Sequence, residues 1–216
     1  MEKAILYGLN VPLATILGYP LTWFETLGTI FGMLGTVLAT KDHIATWFFG
    51  ILNAILFFII FYHSALYSDM LLQVYFFITF IYGWVVWSKA KKSTNEILYL
   101  TKRQRIKTGI FILVCVAVLS YIVGKLNVWL PSLFPKAVEF KYLDSIVAVV
   151  SVTANWLLAK RYIENWILWI IVNLLATYIY FQKDLMLISI EYLIFLILAF
   201  YGLKNWIILT NNVGKM

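Results

Sequence analysis

The chain is predicted to be an all-α polytopic membrane protein: seven transmembrane helices, arranged as two parallel three-helix repeats joined by a linker helix, behind a short N-terminal helix. Three observations predict it. The 216 residues are 63% hydrophobic and only 12% charged, with a mean hydropathy of +0.89, more apolar surface than one soluble domain of this size can hide. The apolar residues form separate runs, each long enough for a hydrocarbon core of roughly 30 Å. The chain also resembles itself at an offset of 119 residues, and a repeat constrains the fold more than local propensity does.

Taken in order, residues 1–22 hold an apolar stretch at 4–19, interrupted by Gly8, Pro12 and Gly18. It reads as an interfacial or partly inserted helix, with an eighth span as the alternative. The first repeat, 23–88, contains apolar runs at 24–40, 44–62 and 70–88. The first of these carries Gly28, Gly32 and Gly35, which favours close packing on a neighbouring helix over exposure to lipid. A basic loop at 89–107 leads into the linker helix, 108–128, and an external loop, 129–141, contains Pro131 and Pro135. The second repeat, 142–209, has runs at 143–159, 164–181 and 185–207, and 210–216 is a tail. The lone Cys115 lies in an apolar run, so no disulfide framework exists.

The net charge of +7 does not form the basic face of a nucleic-acid-binding domain. Seven of the seventeen Lys and Arg lie between Lys89 and Lys107, and short connections carry most of the rest. If seven spans alternate, Lys41, those seven, Lys160, Arg161, Lys204 and Lys215 collect on one side, twelve in all. Lys3, Lys125, Lys136, Lys141 and Lys183 collect on the other, five in all. Basic loops stay in the cytoplasm, so the N-terminus is expected outside and the C-terminus inside.

At the 119-residue offset Glu25 aligns with Asp144, Lys41 with Lys160, Trp47 with Trp166, Tyr82 with Tyr201, Gly83 with Gly202 and Trp87 with Trp206. Matched Trp, Gly and acidic positions carry more weight than matches among abundant aliphatics. Three spans and one linker return the second repeat to the orientation of the first. Parallel repeats about an axis along the membrane normal place a substrate site near the midplane, between the halves.

Polar side chains inside spans are costly unless they find partners or water, so they mark candidate site positions. Trp166, Trp169 and Asn173 recur at three- and four-residue spacing and share one helix face. Two indoles grip a flat or cationic ring while a carboxamide donates and accepts beside it. Asn53 is the first-half counterpart of Asn173, with a one-residue slip. Gln73 aligns with Tyr192 beside Glu191, and Asn155 lies in the fifth span next to Trp156. The plainer reading of each is interhelical glue worth about 1 kcal/mol, and for Trp166 and Trp169 it is core packing. Glu25, Asp144, Asp69, Asp184 and Glu164 lie at span ends and read as caps or ion pairs. His43 and His63 flank the second span and read as interfacial. No phosphate-cradling loop, metal-spaced Cys or His, or nucleophile elbow occurs, so the chain is expected to be neither an enzyme nor a primary pump and to need no cofactor or metal.

The stretch from Trp166 through Trp169 to Asn173, with Trp47 to Asn53 in the first half, resembles the PnuC family of bacterial vitamin transporters over nearly the whole chain. The resemblance implies a fold of two three-helix bundles and a linker, like that of the SWEET sugar transporters, and uptake of nicotinamide riboside across the inner membrane. Transport would be facilitated diffusion, with the solute trapped by a cytoplasmic kinase, and the assembly a homotrimer. Trp166, Trp169 and Asn173 would contact the ligand, with Asn53 opposite. Gln73, Asn155, Glu191 and Tyr192 join that set from intramembrane polarity alone. A transporter of thiamine or riboflavin is the nearest alternative, and a non-transporting receptor or scaffold the more distant one.

Overall fold

The computed structural model describes residues 11–16, 18–63, 67–89, 96–132, 140–182 and 186–213. Two short strands, β1 (Pro12–Ile16) and β2 (Tyr19–Thr22), pair as an antiparallel hairpin before the first helix. This corrects the helix expected over 4–19, of which residues 4–10 lie outside the described residues. Pro12 and Pro20 each lack an N–H, and Gly18 turns the chain at φ +81, so the segment folds back on itself. Thr22 then caps α1 (Trp23–Thr40) in a capping box with Glu25, whose carboxylate also accepts a 2.8 Å bond from the Tyr19 hydroxyl. Burial, together with the Glu25 carboxylate, pushes the Tyr19 phenol up to about 12.

Six more long helices follow: α2 (Ala45–His63), α3 (Tyr67–Lys89), α4 (Lys102–Val123), then, after the single turn α5 (Leu126–Trp129), α6 (Lys141–Ala159), α7 (Glu164–Gln182) and α8 (Met186–Val213). Five helical stretches among the described residues are long and apolar enough to cross a membrane: α2, α4 with α5, α6, α7 and most of α8. α3 is not among them, and neither is α1. Its 18 residues include three Gly and four Thr, small residues that trade hydropathy for close packing. The trade is visible at α2, where Gly35 faces the backbone of Thr46 and Gly50, and Thr46 donates a 2.8 Å bond to the Gly35 carbonyl.

The helices close into a ring. α2 packs between α1 and α3, α7 packs between α6 and α8, and the two trios meet where α3 lies on α6 and α8 lies on α1. α4 stands outside the ring, against α6. It begins at Lys102, six residues before the apolar run, because Thr101 and Gln104 form a second capping box there. The segment before it is also ordered: Leu98 N–H donates to the Arg161 carbonyl, Ile163 N–H donates to the Leu98 carbonyl, and Glu164 accepts from Leu100 N–H and Arg105. Part of the basic loop is therefore a strap over the α6–α7 turn, with Ile97 and Leu100 buried beneath it.

The core lies at the basic end of the ring. Trp47, Trp87, Trp166 and Trp206, each no more than 3% exposed, gather there with Ala39, Leu158, Ala159, Ile163 and Ala199. Trp47 lies on Gly83 and Trp166 on Gly202, so closely that a Cβ on either glycine would stand 2.6 or 2.7 Å from ring atoms. Gly83→Ala and Gly202→Ala are each expected to destabilise the protein by about 1–3 kcal/mol through overpacking. Gly109→Ala, which meets nothing within 4 Å, should be neutral; thermal unfolding in detergent compares the three.

Candidate functional site

The polar side chains inside the ring are held by helix-to-helix hydrogen bonds. Asn53 on α2 donates its amide to the Gly28 carbonyl of α1 at 2.8 Å, and the same amide fills the space beside Gly32. Glu191 on α8 stands beside Thr29, one residue along α1 from Gly28, so α1 meets Asn53 on one flank and Glu191 on the other. Across the ring, Asn155 on α6 donates to the Thr79 hydroxyl of α3 at 2.6 Å, and the Tyr75 hydroxyl of α3 donates to the Val152 carbonyl at 2.8 Å. Asn173 is buried midway along α7. Its neighbour Thr177 donates to the Asn173 carbonyl and accepts at its own carbonyl from Ser189 of α8. Tyr192 stacks on Tyr180 with centroids 5.2 Å apart, along the α7–α8 seam.

The structure divides the stripe on α7. Trp169 is partly buried against the edge of the aromatic core, while Trp166 is enclosed within it, between Gly202 and the Trp206 ring. Trp166 at 2% exposure braces α7 against α8, as Trp47 at 0% braces α2 against α3, and both indole N–H groups lack a partner among the described residues. Trp166 is therefore a core residue in this conformation. Gln73 also departs from the set. It lines a groove of about 230 Å³ on the outer face of α2 and α3 with Ala54, Ile55, Phe58, Val74 and Phe77, away from the α3 face that carries Tyr75 and Thr79. A larger groove, about 590 Å³, runs between α4, α3 and α6, walled by Phe111, Val152, Trp156 and Tyr75 with Lys107 and Gln104 at its basic rim.

Residues that polarity alone did not single out complete the arrangement. Thr79 is the partner that makes Asn155 tolerable, Tyr75 bonds the Val152 carbonyl one turn away, and Thr29 stands beside Glu191. Thr and Tyr are common in spans and carry no signal until a helix packs on them. Two further groups join the halves at the basic end: Trp87 donates its indole N–H to the Ala159 carbonyl at 3.2 Å, and Trp206 donates to the Ala39 carbonyl at 2.9 Å. Arg161, 8% exposed, pairs with Asp42 at 2.9 Å and places its guanidinium 3.9 Å from the Trp87 ring centroid. Burial pushes the Asp42 carboxyl above the ordinary carboxylate range, and the Arg161 bond and charge recover part of that rise. The span-end residues are caps or pairs: Glu25 and Glu164 as described, and His43, whose Nδ1 accepts from Ala45 N–H. Asp69 and Asp184 lie where no side chain is described.

A closed ring of apolar helices with buried amides, hydroxyls and one carboxylate facing inter-helix seams is the construction of a membrane transporter. Residues 22–208 match the family model described as nicotinamide mononucleotide transporter, and the chain belongs to that family. It is 34% identical over 210 residues to the nicotinamide riboside transporter PnuC of Escherichia coli (strain K12), covering 88% of this chain and 87% of that one. It is 28% identical over 203 residues to the nicotinamide riboside transporter PnuC of Neisseria mucosa, covering 87% and 73%. The crystal structure of the vitamin B3 transporter PnuC superposes with a TM-score of 0.67 at 26% identity, covering 88% of this chain and 83% of that chain.

The Asn155–Thr79 bond couples the two trios. A double-mutant cycle through Asn155→Leu and Thr79→Val is expected to give a coupling on the order of 1 kcal/mol, with Thr79→Val the more damaging single change because it leaves a buried amide unpaired. Unfolding in mixed micelles measures it.

Proposed function

We propose that the chain takes up nicotinamide riboside across a bacterial inner membrane by facilitated diffusion. Seven spans in a three-plus-one-plus-three plan give alternating access, with α1–α3 and α6–α8 as like-oriented trios and α4 as the linker. The ligand is held between the trios and trapped by phosphorylation once inside. The observation that carries this reading is that every ring helix contributes a polar side chain to an inter-helix seam or the ring interior: Thr29, Asn53, Thr79, Asn155, Asn173 and Glu191. The charge balance of the connections, twelve basic residues against five, supports an N-terminus outside and a C-terminus in the cytoplasm. A homotrimer is the assembly that the family resemblance implies.

The relatives at 34% and 28% identity are named for nicotinamide riboside, whereas the family description names the mononucleotide. Charge favours the riboside. Among the described residues, the only Lys or Arg away from the ends of a ring helix is Lys204, exposed near the basic end of α8, so a phosphate at mid-depth would be desolvated without a counter-ion. The pyridinium cation is matched by indole and by the Glu191 carboxylate, its carboxamide by Asn173 or Asn53, and the ribose hydroxyls by Asn155, Glu191 or Tyr192. Trp169 and Asn173 are the primary contacts. Trp166 sets the position of α7 and reaches the ligand only if the halves part, and Gln73 stands at the periphery.

Titration calorimetry on purified protein should give heat with nicotinamide riboside and none with the mononucleotide, thiamine or riboflavin. Heat with thiamine or riboflavin alone would transfer the reading to that vitamin, and silence with all four would end it. Trp169→Ala should weaken binding by about tenfold, the equivalent of an indole–cation contact, while unfolding at the same temperature. Counterflow in liposomes should be flat against an imposed pH gradient; dependence on the gradient would make Glu191 a proton-coupling group and replace facilitated diffusion.

A further inference from the structure

Asp42 and Arg161 are separated by the same 119 residues that relate the two halves of the sequence, and they are in contact. Equivalent positions of two like halves touch each other only where the axis relating the halves passes between them. Their surroundings are paired in the same way. Each residue follows a Lys at the end of a ring helix, and each has a left-handed backbone, φ 51 at Asp42 and φ 56 at Arg161. Trp87 and Trp206, also 119 apart, meet at 6.4 Å between centroids, and each reaches over to the other half's terminal carbonyl, Ala159 or Ala39. Asn205 adds a 2.7 Å bond to the Thr40 carbonyl. Two identical charges at such a point would repel. One acid and one base attract, but only when the two helix ends are together.

Resting on the transport reading above, we propose that Asp42 and Arg161 form the gate at the basic end of the ring. Their pairing holds the α1–α2 turn of the first trio against the α6–α7 turn of the second, and its rupture parts the trios at the cytoplasmic end. The two partners are mounted differently. Arg161 is fixed by the Trp87 ring beneath its guanidinium and by the strap residue Leu98, which donates to its backbone carbonyl. Asp42 stands on the short turn between α1 and α2. The first trio is therefore the one that swings away, carrying Asp42 from a stationary Arg161. Lys160 is excluded as the gate cation, because its ammonium is held over the Tyr82 and Trp156 rings at about 5 Å.

The test needs no substrate. In a Cys115→Ser background, nitroxides at Lys41→Cys and Lys204→Cys report the separation of the two halves at this end by pulsed electron resonance in nanodiscs. A short distance is expected with Asp42, retained in Asp42→Glu. In Asp42→Asn the fraction of a longer distance should rise about threefold or more. An unchanged distribution in a folded Asp42→Asn protein would overturn the proposal, since a residue that only braces the fold lowers the unfolding temperature without moving the labels. If Asp42→Asn does not fold, Arg161→Gln removes the charge while keeping a long polar side chain, and the same shift or its absence decides. The labels respond whether or not nicotinamide riboside binds, so an opening gate without calorimetric heat would leave the gate standing and remove the substrate.

Discussion

Reciprocal indole bonds at the basic end of the ring are the contact on which the rest of the structure depends. Trp87 of the first trio donates to Ala159 of the second, and Trp206 of the second donates to Ala39 of the first. A helix leaves its last carbonyls unpaired, and in an apolar surrounding each such carbonyl is expensive. Here Trp87 satisfies the Ala159 carbonyl, while Trp206 adds a second bond to an Ala39 carbonyl that also accepts from Asp42 N–H, so each trio donates to a helix end of the other. The indole rings fill the space between them, Trp87 and Trp206 against each other and Trp166 edge-on to Trp206. Hydrophobic association supplies little force between helices in lipid, and packing with a few polar bonds must supply the rest.

Glycine makes that packing available. Gly83 and Gly202 admit the Trp47 and Trp166 rings onto the helix backbone, one in each half, and thereby set the angle between the second and third helix of each trio. The small residues of α1 do the same for its contact with α2. This is also why α1 is too poor in hydropathy to register as a span by composition: what it lacks in lipid affinity it recovers in proximity to its neighbours. The asymmetry between the halves then lies in side chains that differ, such as Asp42 against Arg161.

Buried polarity in this protein is spread as pairs across seams, with α1 tied to α2 and α8, and α3 tied to α6. Bonds of this kind hold neighbours together, and each cross-trio seam rests on a few hydrogen bonds and not on a continuous polar interface. The aromatic cluster confines the tight closure to one end, where the basic residues also gather. Membership of the nicotinamide mononucleotide transporter family fits such a construction, since a carrier must hold its two halves firmly enough to seal and weakly enough to part.

Much of the fold was legible in the sequence, because hydropathy and a 119-residue self-match are properties of the chain itself. Apolar length marked the helices with ends off by up to six residues, and the matched Trp and Gly positions marked the packing that repeats in both halves. The N-terminal hairpin was missed because an apolar stretch broken by Gly and Pro has no period that separates a strand from a helix. Within the candidate site, Asn53, Asn155, Asn173 and Glu191 stood out as polar groups in apolar runs, but their partners did not: Thr29, Thr79 and a helix carbonyl become partners only when another helix brings a donor or acceptor to them. Two roles were decided by tertiary structure alone. Trp166 became a core brace because Gly202 leaves room for it, and Asp42 and Arg161, which in sequence are two ordinary loop charges, became an ion pair because the folding of two like halves brings equivalent positions face to face.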